Sequence, residues 1–335
     1  MKSILTLGES LIRFSTQKGN RLSRATSFDL HYGGAEANVA MNLSMLNHKV
    51  KYATKLPLKN GFSESLINQL QGNRIDCSNI LYGEGRLGSY YIEVGSGLRP
   101  SNIIYDRNHS VIAMMDSLEW NLDELFKSVS VFHITGITLA LSKRWQEMSV
   151  TLIEEAKKRN IEVSFDMNYR QKMWSQKEAK EVYQKVLPNV DYLSASKLDA
   201  IYFMDIEENQ EADWRYYSEK AHKKYPNIKY IYGTERTLVT PNSFEMFGHI
   251  FDAVNSTEAV SKIYKHHTVI DRIGSGDSYS AAILDGILLD KPLVDIVEFA
   301  MAASALKHTI YGDVNLFSRE EIDYFMKNTM SDVSR

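Results

Sequence analysis

The 335-residue chain reads as α/β, with a mostly parallel central sheet, helices on both faces and a small separate β-sheet. Three observations carry this. After about residue 110, short apolar runs of strand length alternate with runs of helical spacing, the order that builds a parallel sheet covered on both sides. Two earlier stretches, 12–33 and 87–110, are β-rich but fall outside that alternation, as inserted segments would. A glycine-containing loop near residue 275 then runs into a helical pattern, a feature typical of the ligand edge of such sheets. With 44% hydrophobic residues, only six prolines and no Ser/Gly or charge-run linker, a single domain over 1–335 is expected.

The elements follow in order. Ile4-Leu5-Thr6-Leu7 is a short apolar strand that ends in Gly8-Glu9. Residues 12–32 are polar and broken, with weak alternation. Gly33-Gly34 precede a helix, because Ala35, Val39, Leu43 and Leu46 fall on one face. Residues 52–56 read as a strand, and 88–94 pairs with 102–105 in a hairpin around Gly95-Ser96-Gly97. Val131-Phe132-His133-Ile134 opens the alternating part; a helix runs to about residue 158, and strands follow at 161–166, 191–194 and 229–232. The two early β-rich segments form a sheet of their own, able to close over a site as a lid.

Composition excludes several classes. A net charge of −3 gives no broad basic field for nucleic acid or anionic lipid, so neither a nucleic-acid nor a membrane partner is expected. Cys77 is the only cysteine, which rules out an internal disulfide and Cys-rich zinc sites, and its surroundings mark it as inert. Gly8-Glu9 interrupt the first apolar run before a signal h-region forms, and no apolar run approaches membrane-spanning length; a cytoplasmic location is expected.

The sharpest chemical feature is Asp271-Arg272-Ile273-Gly274-Ser275-Gly276-Asp277-Ser278-Tyr279. Tyr279, Ala282, Ile283 and Ile287 follow at helical spacing, so the loop runs into a helix N-terminus. Glycines there let backbone N–H groups approach an anion, and the helix end adds positive potential; phosphate is the natural guest. Asp277 at the helix start either accepts a proton from an attacking hydroxyl or simply caps the helix, and the string alone favours the cap. There is no Walker GxxxxGK[ST], and the third glycine of a dinucleotide fingerprint is missing.

A second motif changes the balance. The run 271–277 resembles the C-terminal signature of the ribokinase (PfkB) family of sugar kinases, and Gly33-Gly34-Ala35-Glu36-Ala37-Asn38-Val39-Ala40 resembles its N-terminal signature. Both stand in the family's order, and the similarity covers nearly the whole chain. The resemblance implies a ribokinase-like fold with a small β-sheet lid, ATP as phosphoryl donor with Mg²⁺, and Asp277 as catalytic base. Gly274, Ser275 and Gly276 complete the catalytic loop, and Ser196, Gly233, Gly274 and Gly276 border the nucleotide. A plain strand-ending turn is the alternative at Gly233-Thr234.

Tyr105-Asp106-Arg107, Phe165-Asp166-Met167-Asn168-Tyr169-Arg170, 303–309 and Tyr311-Gly312-Asp313 resemble one branch, the 2-keto-3-deoxygluconate kinases. That implies substrate binding by Gly34, Asn38, Arg107, Arg170 and Asp313 beside Asp277. The residues argue the same way: an acid sugar needs planar guanidinium donors for its carboxylate. Arg107 ends a lid strand and Arg170 lies beyond a sheet strand, where open α/β sheets bind ligands, although a solvated surface charge is the ordinary fate of an arginine. Tyr90 and Tyr105 either contact the sugar or pack the lid.

Some positions depart from the family pattern. Ser275 replaces an alanine and Arg272 a threonine, while Ser196-Lys197-Leu198-Asp199 stands where many relatives carry Asn-x-x-Glu, so no direct metal ligand is assigned. His266-His267 point opposite ways along a strand and lack a third ligand. Asp166 reads as structural, orienting the Arg170 loop. The expected activity is ATP-dependent phosphorylation of a sugar-acid hydroxyl, foremost 2-keto-3-deoxygluconate to its 6-phosphate. A kinase of fructose or ribose and a non-catalytic sugar-binding relative are the alternatives. Lids of that family often pair edge to edge, so the resemblance implies a homo-oligomer with a dimer through the lid, although exposed strand edges can also be covered in other ways.

Overall fold

The computed structural model describes residues 3–240, 243–266 and 268–328. Near-continuous apolar runs make the centre of the sheet. In Ser3–Leu7, Val129–Thr135 and Glu162–Asp166 successive residues are buried on both faces, which requires cover on both sides. The parallel strands run in the order Ile80–Gly83, Lys49–Pro57, Ser3–Leu7, Val129–Thr135, Glu162–Asp166, Tyr192–Ser194 and Tyr230–Thr240. Ser243–Asp252 then pairs antiparallel and carries Thr257–Val260 and Tyr264–His266 along its far edge. This antiparallel end is additional to the expected sheet. Tyr230–Thr240 runs well past residue 232, and beyond Glu235 it is exposed, so no burial rhythm marks it in the sequence.

The helices start where side chains satisfy their free N–H groups. Ser175, Ser196 and Ser318 form capping boxes with Glu178, Asp199 and Glu321, and Asn60 and Ser142 cap two more. Each such cap is worth about 1 kcal/mol. The helices bury two apolar layers, one on each side of the sheet. Phe132, Trp145, Val163, Phe165 and Phe203 belong to one; Val39, Tyr52, Leu66, Ile283 and Met301 belong to the other.

The separate sheet has four strands in the order Asp29–Gly33, Leu11–Ser15, Gly88–Glu93 and Asn102–Asp106. Its central pair is parallel and both flanking pairs are antiparallel. Side chains alternate across it with period two. Arg13, His31, Tyr90 and Tyr105 share the inner face; Phe14, Leu30, Tyr91 and Ile104 share the outer one. Among the described residues no helix is long and apolar enough to cross a membrane.

Candidate active site

The helix Ser275–Leu288 begins at Gly274, whose φ of +79° only glycine adopts readily. A Cβ at Gly274 would also collide with the carbonyl oxygen of Asp313, so glycine lets two loops touch at this point. Nothing surrounds Gly276, and the N–H groups of Gly276 and Asp277 have no hydrogen-bond partner among the described residues. These open donors, at the positive end of a 14-residue helix, form an anion hole.

Asp277 stands beside it. The Asn38 amide, one turn into the helix Ala35–Met45, donates to Asp277 Oδ2 at 2.6 Å. Burial pushes the Asp277 carboxyl up to about 7; Asn38 and Arg170 oppose the shift, and Asp313 and Glu36 add to it. A carboxylate titrating near neutrality suits a general base better than one at its usual value. Glu36 lies in the same helix turn, buried, and accepts from the Thr135 N–H and from the Thr135 and Thr138 hydroxyls.

A cavity of about 1390 Å³ opens in front of the anion hole. It gathers Arg170, Ser196, Gly233, Ser275 and Gly276 from four separate segments, as the sequence reading expects, and adds Asp166 and Asp199. Asp166 ends a sheet strand. Burial raises its carboxyl to about 7, Asp277 adds repulsion and Arg170 relieves it. Asp166 is thus more than a cap, although its Oδ1 does accept from the Asn168 N–H at 3.1 Å and so holds the turn leading to Arg170. Asp199 is raised by burial as well, against the hydrogen bonds from Ser196 and the charge of Arg170. The Ser196 hydroxyl donates to Asp199 Oδ2 at 2.7 Å, so that side chain is engaged in its capping box. Arg170 is exposed and, among the described residues, holds the Asn168 and Tyr169 carbonyls through one guanidinium nitrogen.

The lid side is arranged differently. Tyr105 and Arg107 line a second cavity of about 640 Å³, which shares Lys172 and Met173 with the first. Arg107 is buried, donates twice to Glu9 and lies 5.9 Å from the Tyr105 ring centroid. Ser110 donates to the other Glu9 oxygen. Gly34 packs on the Glu9 carbonyl, where any side chain would clash. Tyr90 and Asp313 sit further along the inner face, joined to each other, with the second Asp313 oxygen accepting from Arg13 at 2.6 Å. The site residues therefore fall into two groups. Arg170, Ser196, Gly233, Ser275 and Gly276 line the large cavity, with the Asn38–Asp277 pair adjoining Gly276, while Gly34, Arg107, Tyr105, Tyr90 and Asp313 lie on the lid side.

Three participants escape sequence reading. Arg13 is 2% exposed and bridges Asp313 and Asp271 from the lid strand Leu11–Ser15. Burial opposes its charge, but the two carboxylates hold its pKa raised. Glu9 and Lys307 are buried too. Arg13 did leave one signal, a lone charge among Leu11, Ile12 and Phe14; its partners lie 258 and 300 residues away and left none. His266 packs on Phe244 and His308, while His267 lies outside the described residues. Cys77 is half-buried, and burial pushes its thiol up to about 11, away from reactivity.

Comparison with known proteins agrees with this architecture. Residues 1–318 match the pfkB family carbohydrate kinases. A PfkB family carbohydrate kinase of Listeria grayi has a structure 42% identical to this chain, with a TM-score of 0.93 over 97% of this chain and 100% of that one. The 2-dehydro-3-deoxygluconokinase of Thermotoga maritima is 31% identical, with a TM-score of 0.92 over 98% and 100%. The 2-dehydro-3-deoxygalactonokinase of Haloferax volcanii is 26% identical across 99% of both chains. Its α/β fold is ribokinase-like, and the chain belongs to the pfkB family of carbohydrate kinases.

Proposed function

We propose that this sugar kinase transfers the γ-phosphoryl group of ATP to a hydroxyl of a 2-keto-3-deoxy sugar acid, foremost 2-keto-3-deoxygluconate at its 6-position. One observation carries the reading: Arg170 and the unpaired Gly276 N–H open on one cavity, and the Arg170 charge acts on the Asp277 carboxylate next along the chain from Gly276. Arginine would bind the carboxylate end of the substrate. Asp277 would take the proton from the hydroxyl as its oxygen attacks the γ-phosphorus and the bond to ADP breaks. The Gly276 and Asp277 N–H groups then stabilise the charge spreading over the transferring phosphoryl oxygens.

PfkB kinases use ATP with Mg²⁺. Bound Mg²⁺ supplies charge neutralisation between the β- and γ-phosphates. Asp166 and Asp199 are hard oxygen donors on the same cavity, and two carboxylates suit an ion that keeps most of its water. Among the described residues no group of three or more acidic, His or Cys side chains forms a cage, so the ion would be held mainly by phosphate and water.

The Haloferax relative favours a second reading, the galactonate epimer, which differs at one hydroxyl. Purified protein with ATP and Mg²⁺ separates the cases when ADP release is compared for the gluconate and galactonate keto-deoxy acids, fructose and ribose. Turnover with one or both acids and background rates with the neutral sugars is the expected result. Preference for fructose or ribose would discard the carboxylate reading while leaving the kinase.

A further inference from the structure

The anion hole rests on a buried cation that the chemistry above does not use. Lys307 ends the helix Leu293–Lys307 and is 0% exposed. Its ammonium donates to two backbone carbonyls, Asp271 at 3.4 Å and Ile310 at 3.3 Å. Asp271 opens the loop that delivers Gly274, Gly276 and Asp277, and Ile310 opens the loop that delivers Asp313. The loops are joined at other points: the Ile270 N–H donates to His308 O at 2.9 Å, and the Gly312 N–H to Asp271 Oδ2 at 3.2 Å. Arg13 grips the carboxylates of Asp271 and Asp313 from the lid side. Lys307 holds the backbone of the same two loops, at Asp271 and Ile310, from the core side.

Packing alone does not account for a lysine here. Removing an ammonium from water is costly, and a methionine of similar length would fill the same space without that cost. Burial lowers the Lys307 pKa, and the carboxylates of Asp271, Asp313 and Asp277 oppose that shift, so the charge is felt across the site. A fixed positive charge beneath the loop also has the sign that favours a phosphoryl group gaining negative charge above it.

We propose that Lys307 is a positioning residue for phosphoryl transfer, its ammonium fixing the Asp271 and Ile310 carbonyls so that the Gly276 and Asp277 N–H groups stay aimed at the transferring group. The inference rests on the sugar-kinase reading. Two variants test it against wild type in the same assay. Lys307→Met keeps length and removes charge; its kcat falls about 10²-fold, with KM for ATP and sugar acid nearly unchanged. Lys307→Ala loses as much and leaves a space, so ammonium or methylammonium ions restore at least about tenfold, whereas tetramethylammonium at equal ionic strength does not. Near-wild-type kcat in Lys307→Met overturns the proposal. So does a loss in Lys307→Ala that small ammonium ions leave untouched. Should Lys307→Ala fail to fold, the kcat-against-KM split of Lys307→Met decides alone. A wild-type protein inactive on every sugar removes the kinase reading and this proposal with it; an active wild type confines any failure to Lys307.

Discussion

As the proposed base, Asp277 meets two opposed demands. A base must be ionised at working pH, yet the pocket that protects the reaction from water also raises its carboxyl to about 7. Asp166, raised to a similar value and repelled by Asp277, titrates with it. The acid limb of kcat/KM therefore belongs to the pair, with activity rising up to about pH 7 and flat above it. A limb at pH 4–5, measured by the ADP assay from pH 3.5 to 9, would contradict a buried base. The sequence pointed to Asp277 and Arg170 because each follows a local pattern: a glycine turn into a helix, and the end of a buried strand. Its structural reading of Asp166 could not include the raised carboxyl, which comes first from burial and then from repulsion by Asp277, more than 100 positions away in the chain. Arg13 and Lys307 escaped for the same reason: their roles exist only after distant loops meet.

The lid is held to the core by polar contacts as well as by its small apolar layer of Leu11, Tyr90 and Ile92. Arg13 links its central strand to both C-terminal loops, and Arg107 links its last strand to Glu9. Removing one partner of a buried pair leaves an uncompensated charge, which typically costs about 3–5 kcal/mol. Arg13→Ala should lose stability in that range by urea denaturation, because Asp271 and Asp313 then face each other without a cation. A loss below about 1 kcal/mol would mean the bridge is incidental to the closed lid. The lid's existence was legible because its two segments break the β–α rhythm. Its strand order was not: the central pair, Leu11–Ser15 with Gly88–Glu93, joins segments far apart in sequence. The antiparallel end of the main sheet was missed where Tyr230–Thr240 runs out of the core, its residues beyond Glu235 being exposed and without a burial period.

The outer face of the lid is an apolar surface left uncovered in the single chain. There Leu30 is 40% and Ile104 50% exposed, next to the aromatic group Phe14, Phe28 and Tyr91. Contiguous exposed apolar surface of this kind marks an interaction site. We expect two copies to pair through it, so light scattering should give a dimer and Ile104→Asp a monomer that remains folded. A monomeric wild type at micromolar concentration would refute the lid dimer without touching the chemistry. The proposed chemistry depends on one carboxylate, and Asp277→Asn addresses it in a single comparison. At pH 8 wild-type Asp277 is ionised in both folded and unfolded chains, and its raised folded pKa means the folded state carries a cost that sets in as pH rises from about 4 to 7. The amide removes that cost, so the variant should melt no lower than wild type, and higher if Asn38 can turn its amide. Its kcat with the preferred keto-deoxy acid should nevertheless fall about 10²–10⁴-fold, with sugar-acid KM little changed. A folded, equally stable Asp277→Asn protein with near-normal kcat would contradict the assignment of Asp277 as the base.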